Sequence, residues 1–157
     1  MPRAPLDQKS FTPADPAFEQ RVRASFARQR LMSTIGAELT SVSPGQVVIE
    51  LPFREDLTQQ HGYLHAAITT AIVDSACGYA AYTLMPAGAA VLSAEFKVNF
   101  LAPAAGRRFV ALGRVIKPGR TLTVTGGEVV AESEGEPKVI ATMLATMIAV
   151  SGRDISG

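Results

Sequence analysis

Two periodicities divide the chain. Phe18, Val22 and Phe26 recur at four-residue spacing opposite Arg21, Arg28 and Arg30, the pattern of an amphipathic helix. Asp15-Pro16 just ahead offers an N-cap followed by proline at the first helical position. The spacing therefore predicts a helix from Asp15 to about Met32, with its arginines on a solvated face. From Gln46 to Arg54 the period falls to two: Val47, Ile49, Leu51 and Phe53 share one face, against Val48, Glu50 and Arg54. That is a half-buried strand. Ser43-Pro44-Gly45-Gln46 is a turn signal, which makes Gly36–Val42 its hairpin partner. Further on, Leu92, Ala94, Phe96, Val98 and Phe100 alternate with Ser93, Glu95, Lys97 and Asn99. Three more strands are predicted over 108–116, 122–132 and 139–150. They are separated by Lys117-Pro118-Gly119-Arg120, which reads as a type II turn, and by the loop Glu134-Gly135-Glu136-Pro137.

Between the two groups of strands lies a stretch with neither period. From Ala66 to Leu84 nearly every residue is small or apolar, and Asp74 is the only formal charge. A helix that is apolar all round is a buried helix, and an isolated buried carboxylate costs several kcal/mol unless it is paired or used. The order is helix, two strands, buried helix, four strands. Without βαβ alternation it predicts an α+β fold, a largely antiparallel sheet with one long helix laid against it.

Composition narrows the function classes. At 157 residues the chain is one domain, read as an extended arm over 1–13, a single domain over 14–150 and a tail over 151–157. A net charge of +1 gives no reason to expect nucleic acid or an anionic membrane as partner. The charged fraction of 18% is low and hints at extra burial in an oligomer. The single cysteine, Cys77, allows no internal disulfide and fits a reducing compartment. The first residues lack the apolar region of a signal peptide. The 66–84 run carries a central Asp and many Thr, Ser and Gly, against a transmembrane reading. A cytoplasmic protein is expected.

The chemistry concentrates at the mouth of the apolar helix. Gly62 breaks the chain before it and His65 stands at its start. The first-turn N–H groups, those of Ala66 and Ala67 among them, lack intrahelical partners and suit an anion or a developing oxyanion. Nine residues beyond His65, Asp74 lies about 13.5 Å along the axis and on the opposite face. The two groups therefore serve one substrate only if they come from two subunits, with the helices antiparallel about a two-fold. Each residue also has a plain structural reading: Asp74 as a buried acid bonded to backbone or to a Thr, His65 as a cap, His61 as a loop residue, Cys77 as a small core residue. His61 and His65 with Asp74 make a poor metal set, because Gly62 keeps the two imidazoles off one helical turn. No metal or cofactor is expected.

The pattern Gln59-x-x-Gly62-x-x-His65-Ala66-Ala67, then Asp74-Ser75-Ala76-Cys77-Gly78, then Leu92-Ser93-Ala94-Glu95-Phe96-Lys97-Val98-Asn99-Phe100-Leu101-Ala102-Pro103, resembles the hotdog-fold acyl-CoA thioesterases. The nearest branch is the phenylacetate-pathway, PaaI-type group, related to 4-hydroxybenzoyl-CoA thioesterases. The resemblance spans roughly residues 30–150. It implies a long central helix wrapped by a curved antiparallel sheet, here with an extra N-terminal helix. It also implies homodimers joined edge to edge, often paired into tetramers. By that resemblance Asp74 is the general base or nucleophile, and the Ala66 N–H of the partner subunit polarises the thioester carbonyl. His65 assists positioning, Ser93 holds the water, and Gln59 bonds the carbonyl or the water. Gly62 and Ala67 let the substrate approach, while Arg107, Lys117 and Arg120 are the cations available to the coenzyme A phosphates, or else plain solvated turn charges. Two positions depart from the family: Ala66-Ala67 replaces Gly-Gly after the histidine, and Gln59 replaces Asn. A positive φ at Ala66 would cost about 1 kcal/mol or more. The rival reading is a non-catalytic acyl-CoA-binding or regulatory protein of the same fold.

Overall fold

The computed structural model describes residues 10–151. Most of the predicted arm, residues 1–9, and residues 152–157 of the tail lie outside that range. Six antiparallel strands form one sheet in the order β1-β2-β4-β5-β6-β3. They are β1 (Glu38–Ser43), β2 (Gln46–Pro52), β3 (Ala90–Phe100), β4 (Arg108–Lys117), β5 (Leu122–Glu132) and β6 (Lys138–Val150). One long helix, α3 (Ala66–Tyr82), lies across the sheet, and two short helices, α1 (Phe18–Arg28) and α2 (Arg30–Ile35), precede it. The α+β arrangement expected from the alternation is the one found. Val47, Ile49 and Leu51 are fully buried under α3, while Phe53, past the end of β2, is 40% exposed.

How closely α3 sits on the sheet is set by two glycines that face each other across β4 and β5, Gly113 and Gly127. A Cβ on Gly113 would lie 2.2 Å from the Ala76 carbonyl carbon, and one on Gly127 would lie 2.5 Å from a Val73 methyl and 2.7 Å from the Cys77 sulfur. Side-chain-free backbone is therefore needed where the helix crosses.

Five local expectations need correction. The first helix is two helices, because Gln29 is extended (φ −77°, ψ 91°). Its side-chain amide donates to Ser75 Oγ of α3 at 3.1 Å, and this tertiary bond overrides the helical spacing. Asp15 is not the N-cap: helix α1 begins at Phe18, and Asp15 instead accepts from the Ala17 N–H at 2.9 Å and from Arg21 Nε at 2.9 Å. Arg21 consequently does not belong to a solvated face. Its guanidinium covers the Tyr82 ring at 4.2 Å and donates to the carbonyls of Tyr82 and Met85, closing the C-terminal end of α3. Gly36 does not begin a strand; at φ 79° it ends α2 in the left-handed conformation, and β1 starts at Glu38. Finally, Gly119 has no positive φ, so its turn is not type II. Glycine is required there because a Cβ would fall 2.1 Å from the Leu122 carbonyl oxygen.

Candidate active site

Helix α3 opens with its mouth organised by His65. That residue is extended (φ −63°, ψ 138°), and its Nδ1 accepts from the Ala67 N–H at 2.9 Å, which places the ring proton on Nε2. The His65 carbonyl accepts from Ile68 N at 3.0 Å and Thr69 N at 3.2 Å. The Ala67 donor is therefore spent inside the chain, and among the described residues only the Ala66 N–H of this first turn is left without an acceptor. Ala66 is exposed and helical, and the described residues contain no positive φ outside glycine. Alanine thus stands here without the backbone strain that a left-handed conformation would impose.

The helix is not buried all round. Ala66 and Ala67 are exposed, and Thr70, Ala71, Asp74 and Gly78 are half-exposed. They recur at three- and four-residue spacing along one flank. Asp74 sits in the middle of this strip of small residues. Its Oδ1 accepts from Ser93 Oγ at 2.7 Å. A bulge between Ser93 and Glu95 in β3 interrupts the pairing with β6 and turns Ser93 toward the helix, a device common beside active sites. Burial pushes the Asp74 carboxyl above the usual carboxylate range, against the smaller opposing effect of the Ser93 bond. Eight residues separate Ala66 from Asp74, about 12 Å of axis and about 80° of rotation. For Ala66, length rather than opposite facing keeps the two groups apart.

The other predicted residues divide. Gln59 and Ala66 wall a cavity of about 520 Å³ at the helix mouth, together with Tyr63, Thr69, Phe100, Leu101 and the chain through Ala104. The Gln59 side-chain oxygen accepts from the His61 N–H. Gly62 takes φ 82° in the loop that leads to the helix, while His61 is exposed there. Arg107 lies next to the 101–105 segment but pairs with Glu134. Lys117 and Arg120 are exposed at the far end of β4, roughly 30 Å away by strand rise. One chain cannot bring these three cations to a single phosphate group. Cys77 is fully buried, its thiol pushed up to about 12 chiefly by burial, so it is no nucleophile. Thr69 and the Leu101–Ala104 wall were not anticipated. The available signal was that Thr69 stands one turn from Ala66, on the same face, and that this segment directly follows β3.

A family model described as the thioesterase superfamily matches residues 61–138. A thioesterase family protein of known structure from Silicibacter pomeroyi is 53% identical, with 86% of this chain and 99% of that one aligned at a TM-score of 0.85. Human acyl-coenzyme A thioesterase 13 is 29% identical over 62% of this chain and 70% of its own length. The PaaI protein of the Escherichia coli phenylacetic acid degradation operon, at 20% identity, shares the fold at a TM-score of 0.77 over 86% of this chain and 94% of that one. The chain belongs to the thioesterase superfamily, enzymes that hydrolyse thioesters, and it has the hotdog architecture.

Proposed function

We propose that this protein hydrolyses acyl-CoA thioesters to a free acid and coenzyme A, without a metal, at sites each shared by two copies of the chain. The observation that carries the reading is the pairing of a Ser93-bonded, half-exposed Asp74 with an unpartnered Ala66 N–H too far along the same helix to meet it. Strand β3 lies at the edge of the sheet, with Leu92, Phe96 and Phe100 between 43% and 50% exposed. A long apolar edge of this kind calls for a partner. Pairing β3 antiparallel with a second β3 about a two-fold sets Ser93 of one copy near Phe100 of the other. Asp74 goes with Ser93, and the Ala66 cavity goes with Phe100. The same symmetry that closes the edge thus joins the two halves of the site. The face of the sheet turned away from α3 keeps Leu92, Leu122 and Leu144 exposed, which suits a dimer of dimers. A cytoplasmic location fits the single thiol.

In the reaction, the thioester carbonyl oxygen accepts from the partner's Ala66 N–H. Asp74 takes a proton from water as the water oxygen bonds to the carbonyl carbon, and the C–S bond then breaks to release coenzyme A as the thiol. In the nucleophilic variant an Asp74 oxygen itself bonds to that carbon, the C–S bond breaks to release coenzyme A as the thiol, and water then attacks the Asp74 carboxyl carbon of the resulting anhydride to free the acid. A single turnover in ¹⁸O water separates the two, since only the second places label in the Asp74 carboxyl. The cations split along β4 are accommodated too, since antiparallel edge pairing turns the Lys117–Arg120 end of one copy toward the cavity end of the other. The test is turnover on acetyl-, medium-chain, phenylacetyl- and benzoyl-CoA. Asp74→Asn and Asp74→Ala are expected to lose about 100-fold or more; wild-type rates in both variants would sink the proposal.

A further inference from the structure

Strand β3 carries its charges on one face. Phe96, Val98 and Phe100 lie on the side of α3, since their β6 partners Ala145, Met143 and Ala141 are buried there. Glu95, Lys97 and Asn99 alternate with them and share the opposite face. Among the described residues neither Glu95 nor Lys97 forms an ion pair. Glu95 accepts only from the Thr146 hydroxyl on β6. The backbone is equally one-sided. The Leu101 N–H donates to the Ile140 carbonyl at 2.8 Å, which turns the peptide groups of Leu101, Asn99, Lys97 and Glu95 toward β6. Those of Phe96, Val98 and Phe100 therefore face the open edge.

Resting on the shared-site reading above, we propose that Glu95 and Lys97 fix the register in which two copies meet. The two-fold axis lies at Phe96, and each Glu95 stands opposite the partner's Lys97. An axis at Glu95 or at Lys97 would set like charges directly opposite, which is destabilising. An axis at Val98 would set Lys97 opposite Asn99 and Glu95 opposite Leu101, leaving both charges unpaired. An axis at Phe96 joins opposite charges directly, twice per dimer. It also makes the two Phe96 residues a mutually hydrogen-bonded pair, whose rings, 43% exposed in the single chain, meet on the side of α3. Because the bulge takes one residue out of the count, Val98 comes opposite the partner's Ser93, with Phe100 next on that face. The register that pairs the charges thus also brings Asp74 to the partner's cavity. Main-chain bonds at an open edge accept any strand, so the two side chains decide which chain is accepted.

Charge exchange tests this. Glu95→Lys leaves only lysines at the two positions and Lys97→Glu only glutamates. Each variant then opposes like charges in its own dimer and complementary ones in the mixed dimer. Refolded together at low salt, they are expected to form about nine-tenths mixed dimer by native mass spectrometry, against about half for two differently tagged wild-type chains. Raising the salt before refolding should lower the mixed fraction, and the mixed dimer should hydrolyse at the wild-type rate. Cysteine placement checks the axis independently. The Cα atoms of a hydrogen-bonded pair lie about 5.5 Å apart, within disulfide reach. Lys97→Cys and Val98→Cys would stand roughly 8 and 14 Å from their counterparts. Phe96→Cys should therefore cross-link fastest of the three under mild oxidation. A mixed fraction near one half, or faster cross-linking at Lys97→Cys or Val98→Cys, overturns the proposal. Random mixing among dimers whose activity still needs two chains removes this register alone. A wild type that hydrolyses as a monomer removes the shared-site reading and this one with it.

Discussion

Asp74 and Cys77 lie three residues apart on α3, and burial acts on both, in ways that bear differently on function. For Asp74 it favours the neutral carboxylic acid, while base catalysis requires the carboxylate. The acid limb of kcat/KM should therefore lie above the usual Asp range of about 3.9, and a pH–rate profile checks it. Because the folded-state pKa is raised, the stability that Asp74 contributes is present below its unfolded pKa and is lost as pH rises through the folded one. Asp74→Asn should then be more thermostable than wild type at neutral pH, with the difference in Tm vanishing in acid. Cys77, neutral at physiological pH and fully buried, should resist a thiol reagent in the native protein and react stoichiometrically after denaturation. Asp74 was legible in the sequence because a lone charge in an apolar run is anomalous. Thr69, part of the cavity wall, was not, because a threonine in such a run is ordinary.

At the level of elements, alternation together with the turn signals located every strand to within two residues, since period two reflects one face packed against α3. What the sequence concealed was the tertiary contacts that end or break elements. The Gln29–Ser75 bond splits the first helix, and Arg21 leaves the solvated side to close α3. Arg21→Ala should cost about 2 kcal/mol through the lost carbonyl contacts and ring stacking, measured by chemical denaturation. The glycines under α3 give a ranked expectation. Gly113→Ala drives a methyl into the helix backbone and should cost about 3 kcal/mol or more, whereas Gly127→Ala meets the Val73 and Cys77 side chains and should cost less. Equal costs for the two would contradict the account of how α3 is seated.

For the whole molecule, the proposed division of the site rests on one piece of helix arithmetic, and the resemblance implied edge-to-edge pairing without saying which edge. The proposed route is the exposed edge of β3, whose Ser93 end holds Asp74 and whose Phe100 end walls the Ala66 cavity. Complementation tests it most directly. Asp74→Ala removes the carboxylate, and Ala66→Pro removes the N–H at a first helical position that tolerates proline, after a residue already extended. Each variant alone should lose about 100-fold or more. Unfolded together in equal amounts and refolded, about half the dimers are mixed and each carries one intact site, so activity should return to about a quarter of wild type. A mixture no more active than its two parents would show that Asp74 does not work with the helix mouth of a second chain.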